Sequence, residues 1–126
     1  QDEGVAEAAA VGWSFGGSVA ISVASVAKIV RSVAAISTHA VACRCVRRLH
    51  SRSMLLLHGD SDREAALSVV RRIHSEAVGP RRLIIYANTG HALTEAREQA
   101  RRDPTNWLLE TLRVSPPDKT CRSSPA

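Results

Sequence analysis

A serine, two aspartates and a histidine stand along the chain in the order Ser14, Asp60 and Asp62, His91. Such a set can do nucleophilic chemistry: the imidazole takes the hydroxyl proton, and a carboxylate fixes the imidazole tautomer and stabilises its charged form. The serine lies in Gly12-Trp13-Ser14-Phe15-Gly16-Gly17, a G-x-S-x-G pattern with an added glycine. Between a strand and a helix, this pattern makes a turn so tight that the serine backbone is strained and its Oγ stands above the sheet. Gly12 and Gly16 are expected where a Cβ would collide with backbone. Ser14 would then sit at the mouth of a helix, where free N–H groups and the helix dipole favour negative charge. The Phe15 N–H is the expected oxyanion donor. Trp13 and Phe15 flank the nucleophile and are candidates to line a substrate pocket.

The elements around these residues must place them together. Residues 8–12 (AAAVG) read as a short buried strand, and 15–30 as a helix opening on small residues. Residues 32–37 and 53–58 (SMLLLH) read as further buried strands, and 82–87 (RLIIYA) as a fourth. The stretch 38–52 is irregular, with a helical turn near 46–49. Residues 64–77 place Leu67, Val70 and Ile73 near helical spacing, and Gly79-Pro80 ends that helix. Two helices are expected at the end, 91–102 and 104–112, with Asp103 as N-cap and Pro104 at the first helical position. Strands alternating with helices predict an α/β fold, a parallel sheet flanked by helices. Such sheets carry their chemistry beyond the carboxyl ends of the strands, here after Gly12, Ser37, His58 and Ala87.

Both aspartates follow the third strand in His58-Gly59-Asp60-Ser61-Asp62-Arg63, and His91 follows the fourth in Asn88-Thr89-Gly90-His91. His58 is expected to shape the acid loop. His39, His50 and His74 read as surface or loop residues, and Trp107 as packing on the sheet.

Composition bounds the rest. At 126 residues and 44% hydrophobic content the chain can build one domain with a modest core. The domain is expected over 1–113, with a disordered tail over 114–126, where SPPDKTCRSSPA carries no apolar period. The net charge of +5 comes from Arg pairs scattered along the chain, and aromatics are 3% of it. Nucleic-acid binding is not expected, since nothing resembles a base-stacking platform. No stretch is long and apolar enough to span a membrane. Three cysteines, Cys43, Cys45 and Cys121, suit reduced thiols in a cytoplasmic protein better than a disulfide framework, and fit no metal-ligand spacing. The chain begins at Gln1, as expected of a processed chain or of part of a longer reading frame.

VGWSFGG resembles the nucleophile elbow of the α/β-hydrolase superfamily, LLLHGDSDR its H-G-x-x-D acid loop, and TGHAL the loop that delivers its base. The resemblance covers residues 8–112 and is nearest to compact dienelactone-hydrolase-like and esterase-like members. It implies that Ser14 is the nucleophile, Asp62 rather than Asp60 the acid, and His91 the base. It further implies a small-molecule acyl substrate, typically a carboxylic ester, and no cofactor or metal. Dienelactone hydrolases use Cys as nucleophile, where this chain has Ser14. The family's sheet has strands before the nucleophile strand, and a second oxyanion donor comes from an early loop. The chain therefore reads as a partial α/β-hydrolase fold beginning at the nucleophile strand, whose exposed sheet edge could support self-association. The alternative is a non-catalytic remnant or binding module of the same fold.

Overall fold

The structure, a computed structural model, describes residues 4–112. The expected tail over 114–126 lies outside those residues. Strands β1 (Ala8–Trp13), β2 (Val30–Ile36), β3 (Ser53–Gly59) and β4 (Arg81–Tyr86) form one parallel sheet in sequence order. Between and after them run helices α1 (Phe15–Val26), α2 (Leu67–Glu76) and α3 (Arg97–Leu112).

Central strands of a parallel sheet are covered on both faces, so their residues are apolar without a break. In β3, Met54 and Leu56 face one core with Val33 and Ala35 of β2, Ile21 and Ala24 of α1, and Val70 and Ile73 of α2. Leu55 and Leu57 face the other with Ala34, Tyr86 and Trp107. The strand period of two thus divides the molecule into two layers, α1 and α2 on one side and α3 on the other. Val46 and Leu49, on a 3-10 turn within the irregular stretch, close the first core. Among the described residues, no helix is long and apolar enough to cross a membrane.

Register brings the carboxyl ends to one rim. Trp13 pairs with Ile36, Ile36 with Leu57, and Gly59 with Tyr86. The segments that follow, at Ser14, Ser37, Asp60 and Ala87, therefore leave the sheet side by side. Among the described residues β1 has a partner on one side only, so its outer edge is open there. Val11 of β1 and Val19 and Val23 of α1 are exposed.

The three helices differ from expectation, each for a physical reason. The first helix stops at Val26 rather than at residue 30, because Val30 is buried and already pairs with Ala8 in the sheet. The second starts at Leu67 rather than at 64, because Ala66 is extended, at φ −67° and ψ 143°, and the Ala65 carbonyl is taken by His58 Nε2. The two expected terminal helices are one, α3, preceded by a 3-10 turn at Thr94–Ala96. Asp103 caps nothing; its Oδ2 accepts the Tyr86 hydroxyl at 2.7 Å. Pro104 lies inside α3, where it gives up a hydrogen bond to the Ala100 carbonyl. Burial carries the helix through that break, since Ala96, Ala100, Trp107 and Leu108 all pack on the same core.

Pro104→Ala should therefore stabilise the fold by about 1–3 kcal/mol in urea unfolding, the recovered bond outweighing the freedom returned to the unfolded chain. Equal or lower stability would instead mark Pro104 as the start of a separate helix.

Candidate active site

The turn from β1 into α1 is built around Gly12. A Cβ there would overlap the carbonyl oxygen of Gly16, so only glycine lets the chain reverse this closely. Gly16 does not carry the same constraint, contrary to expectation: a Cβ on it meets nothing within 4 Å. What Gly16 contributes to the close approach is its backbone oxygen. Ser14 takes φ 59° and ψ −123°, a left-handed conformation unfavourable for a residue with a Cβ. Its N–H donates to Ile36 O at 2.7 Å, which ties the strained residue to the end of β2. Phe15 opens α1, where helix geometry leaves N–H groups without a carbonyl partner.

The loop after β3 holds the acid. Asp62 Oδ1 accepts the N–H groups of Glu64 and Ala65, each at 2.8 Å. Its other oxygen, Oδ2, lies 2.7 Å from His91 Nδ1. The Asp62 side chain has no exposed surface, and that of His91 is 10% exposed. Burial pushes the Asp62 carboxyl up; the Ala65 N–H, His91 and the Glu64 N–H outweigh it and hold the group below the ordinary value of 3.8. Asp60 points elsewhere. Its Oδ1 accepts the Asn88 N–H at 2.8 Å and the Ser61 hydroxyl at 3.1 Å, pinning one loop to the next. His58 is fully buried, and its Nε2–H donates to Ala65 O at 2.8 Å, while the same nitrogen lies 3.5 Å from Asp62 Oδ2. It thus props the segment that grips Asp62.

The loop after β4 delivers His91. Glu95 accepts the Gly90 N–H at 3.1 Å, and Ser37 Oγ donates to His91 O at 2.9 Å, so both sides of the residue are fastened. His91 Nε2 stands 2.9 Å from Ser14 Oγ. Ser14, His91 and Asp62 are therefore joined in one hydrogen-bonded line. The Trp13 ring tilts against the His91 ring, centroids 5.4 Å apart, and lines a cleft of about 290 Å³ with Ile36, Ala92, Leu93 and Arg97 among its other walls. The Phe15 ring is exposed and is not among the residues lining that cleft. Glu64 Oε1 reaches to 3.7 Å from His91 Nε2 from an exposed position.

Sequence reasoning missed one residue here. His39, read as a surface or loop histidine, brings Nε2 to 3.1 Å from Ser14 Oγ, with its ring 5.8 Å from that of His91. The signal was its place, two residues past one of the strand ends where chemistry was expected. His50 and His74 stay away from the site: His50 lies at the end of the second 3-10 turn and His74 in the last turn of α2.

No family model matches the sequence, and comparison with curated proteins finds no match. Solved structures do match. The chain superposes on Est1E from Butyrivibrio proteoclasticus with a TM-score of 0.74 at 13% identity, covering 86% of this chain and 62% of that one. The esterase domain of a Rhodothermus marinus protein gives 0.69 at 17%, covering 78% and 59%. A dienelactone hydrolase from Anabaena variabilis gives 0.69 at 21%, covering 82% and 49%. The chain thus spans about half to three fifths of the length of these structures. The fold they share with it is that of the α/β-hydrolases, and the four parallel strands with their flanking helices are a part of it.

Two substitutions separate the roles of the glycines in the turn. Gly12→Ala should cost about 1–3 kcal/mol or more, since backbone must move to admit the methyl group. Gly16→Ala should be neutral or stabilise by up to about 1 kcal/mol, as Gly to Ala does inside a helix. Urea unfolding of both variants checks this.

A second prediction concerns Asp62. A carboxyl whose value is lower folded than unfolded contributes stability that is present above its unfolded value and lost as the pH falls through its folded one. Unfolding free energy should therefore decline as the pH drops below 3.8. In Asp62→Asn the decline should be shallower; an unaltered slope in urea titrations at several pH values would contradict the assignment.

Proposed function

We propose that the chain carries the catalytic machinery of a serine hydrolase acting on a carboxylic ester or related acyl compound, with Ser14 as nucleophile, His91 as base and Asp62 as acid. The observation that carries this reading is the line from Asp62 Oδ2 to His91 Nδ1 at 2.7 Å and from His91 Nε2 to Ser14 Oγ at 2.9 Å, ending on a serine with strained backbone. The structural neighbours, an esterase domain and a dienelactone hydrolase among them, support the class of reaction.

The chemistry follows from the proton positions. Ionised Asp62 only accepts hydrogen bonds, so His91 carries its proton on Nδ1 and offers the Nε2 lone pair to the Ser14 hydroxyl. As Oγ attacks the acyl carbon, its proton passes to His91 Nε2, and the positive imidazolium is stabilised by Asp62. The carbonyl π electrons move to oxygen, where the Phe15 N–H is a donor. Collapse of the tetrahedral species expels the alcohol, protonated by His91, and leaves an acyl-serine. Water, deprotonated by His91, then releases the acid. Trp13, next to Ser14 in the chain and packed against the His91 ring, is proposed to contact the substrate.

The direct test is labelling with a fluorophosphonate probe, which traps an activated serine. The 126-residue chain should label, and Ser14→Ala should abolish labelling. A folded chain that never labels would favour the non-catalytic reading of the same fold.

A further inference from the structure

Ser14 Oγ stands within hydrogen-bond distance of two imidazole nitrogens, His91 Nε2 at 2.9 Å and His39 Nε2 at 3.1 Å, yet a hydroxyl has one proton to give. The proton inventory decides how both contacts are made. Asp62 takes the His91 Nδ1 proton, which leaves the His91 Nε2 lone pair to accept the Ser14 hydroxyl. With that proton spent, the contact to His39 needs a proton from His39 itself, which must carry it on Nε2.

The position of His39 is fixed from several sides. Ser37, at φ 51°, turns the chain out of β2, donates its N–H to Leu57 O at 2.9 Å and its hydroxyl to His91 O at 2.9 Å. Buried Thr38 pairs its hydroxyl with that of buried Ser18 at 3.2 Å. Gly17 makes room for this pair, since a Cβ there would come to 3.0 Å from Thr38 Oγ1. The His39 carbonyl accepts the Ser18 hydroxyl at 3.3 Å and the Ala42 N–H at 3.2 Å. The segment is thus anchored to β3, to α1 and to the loop of His91. Among the described residues, no carboxylate lies within ion-pair distance of His39, whereas Asp62 lies 2.7 Å from His91. His39 therefore lacks the partner that would stabilise it as a base.

Resting on the nucleophilic role of Ser14, we propose that His39 is a second catalytic histidine, a fixed N–H donor to Ser14 Oγ rather than a second base. In the attack step the Oγ–carbon bond forms, the carbonyl π pair moves to oxygen, and the Oγ proton goes to His91 Nε2. His39 keeps its own proton throughout. Its N–H bond holds the Ser14 side chain in its rotamer and stabilises negative charge on Oγ while the proton is leaving, an interaction stronger in the transition state than at rest.

The test compares His39→Phe, which keeps a ring and removes the donor, with His39→Gln, which restores an N–H. The fluorophosphonate labelling rate and p-nitrophenyl acetate kinetics are read on the full chain, with circular dichroism to show that each variant folds. His39→Phe should react about 10- to 100-fold more slowly, as loss of a hydrogen bond to a charged group predicts. The fall should be in kcat with KM unchanged, and His39→Gln should recover most of the rate. His39→Phe reacting at the wild-type rate would overturn the proposal, as would a folded His39→Gln as slow as His39→Phe. A wild-type chain that does not label fails at the earlier step and overturns the role of Ser14 itself. The contact is then read alone from imidazole nitrogen spectra. A proton on His39 Nε2 protected from exchange, and lost from protection in Ser14→Ala, supports the donor geometry. A neutral His39 protonated on Nδ1 only overturns it.

Discussion

A buried carboxylate with no solvent contact must find its hydrogen bonds inside the protein, and the site is arranged around meeting that requirement for Asp62. Two backbone N–H groups go to one oxygen and the His91 imidazole to the other. Those partners outweigh the cost of burial and keep the group ionised. Everything beyond it follows from where protons then have to be. An ionised Asp62 orients His91, an oriented His91 presents a lone pair to Ser14, and an occupied Ser14 proton leaves His39 as a donor.

The sheet makes this line possible by aligning four strand ends on one rim. Each residue of the candidate site comes from a different loop, and the loops are stitched together by polar contacts outside the Asp62–His91–Ser14 line. Asp60 joins the loop after β3 to that after β4. Ser37 joins the loop after β2 to His91. Ser18 and Thr38 join α1 to the segment of His39. The two apolar cores hold the strands in register, so an error of even one residue at Ile36 or Leu57 would move the loops out of reach of one another.

Much of this was legible in the sequence because the signals were local. Gly12 to Gly17 announce a tight turn, and SMLLLH and RLIIYA announce buried strands by unbroken apolar character. The order of serine, acid and histidine, each past a strand end, placed the candidate site. What could not be read depends on contacts between distant segments. Asp103 and Pro104 look like the start of a helix, and only the Trp107 side of the core carries α3 through them. Gly16 and Gly12 look alike in the motif, and only the fold shows which one faces a backbone oxygen. His39 carries no motif of its own. Its position depends on Ser18 and His91, 21 and 52 residues away in the chain by their numbers.

The central claim is the direction of the proton line, and the tautomer of His91 reads it directly. Free neutral imidazole side chains favour the proton on Nε2, so a His91 protonated on Nδ1 is evidence of a partner that demands it. Nitrogen-15 spectra of the wild-type chain at neutral pH should show His91 as the Nδ1–H tautomer, reverting toward Nε2–H in Asp62→Asn. A His91 that carries its proton on Nε2 in the wild type would contradict the account, because it could not then accept the proton of Ser14.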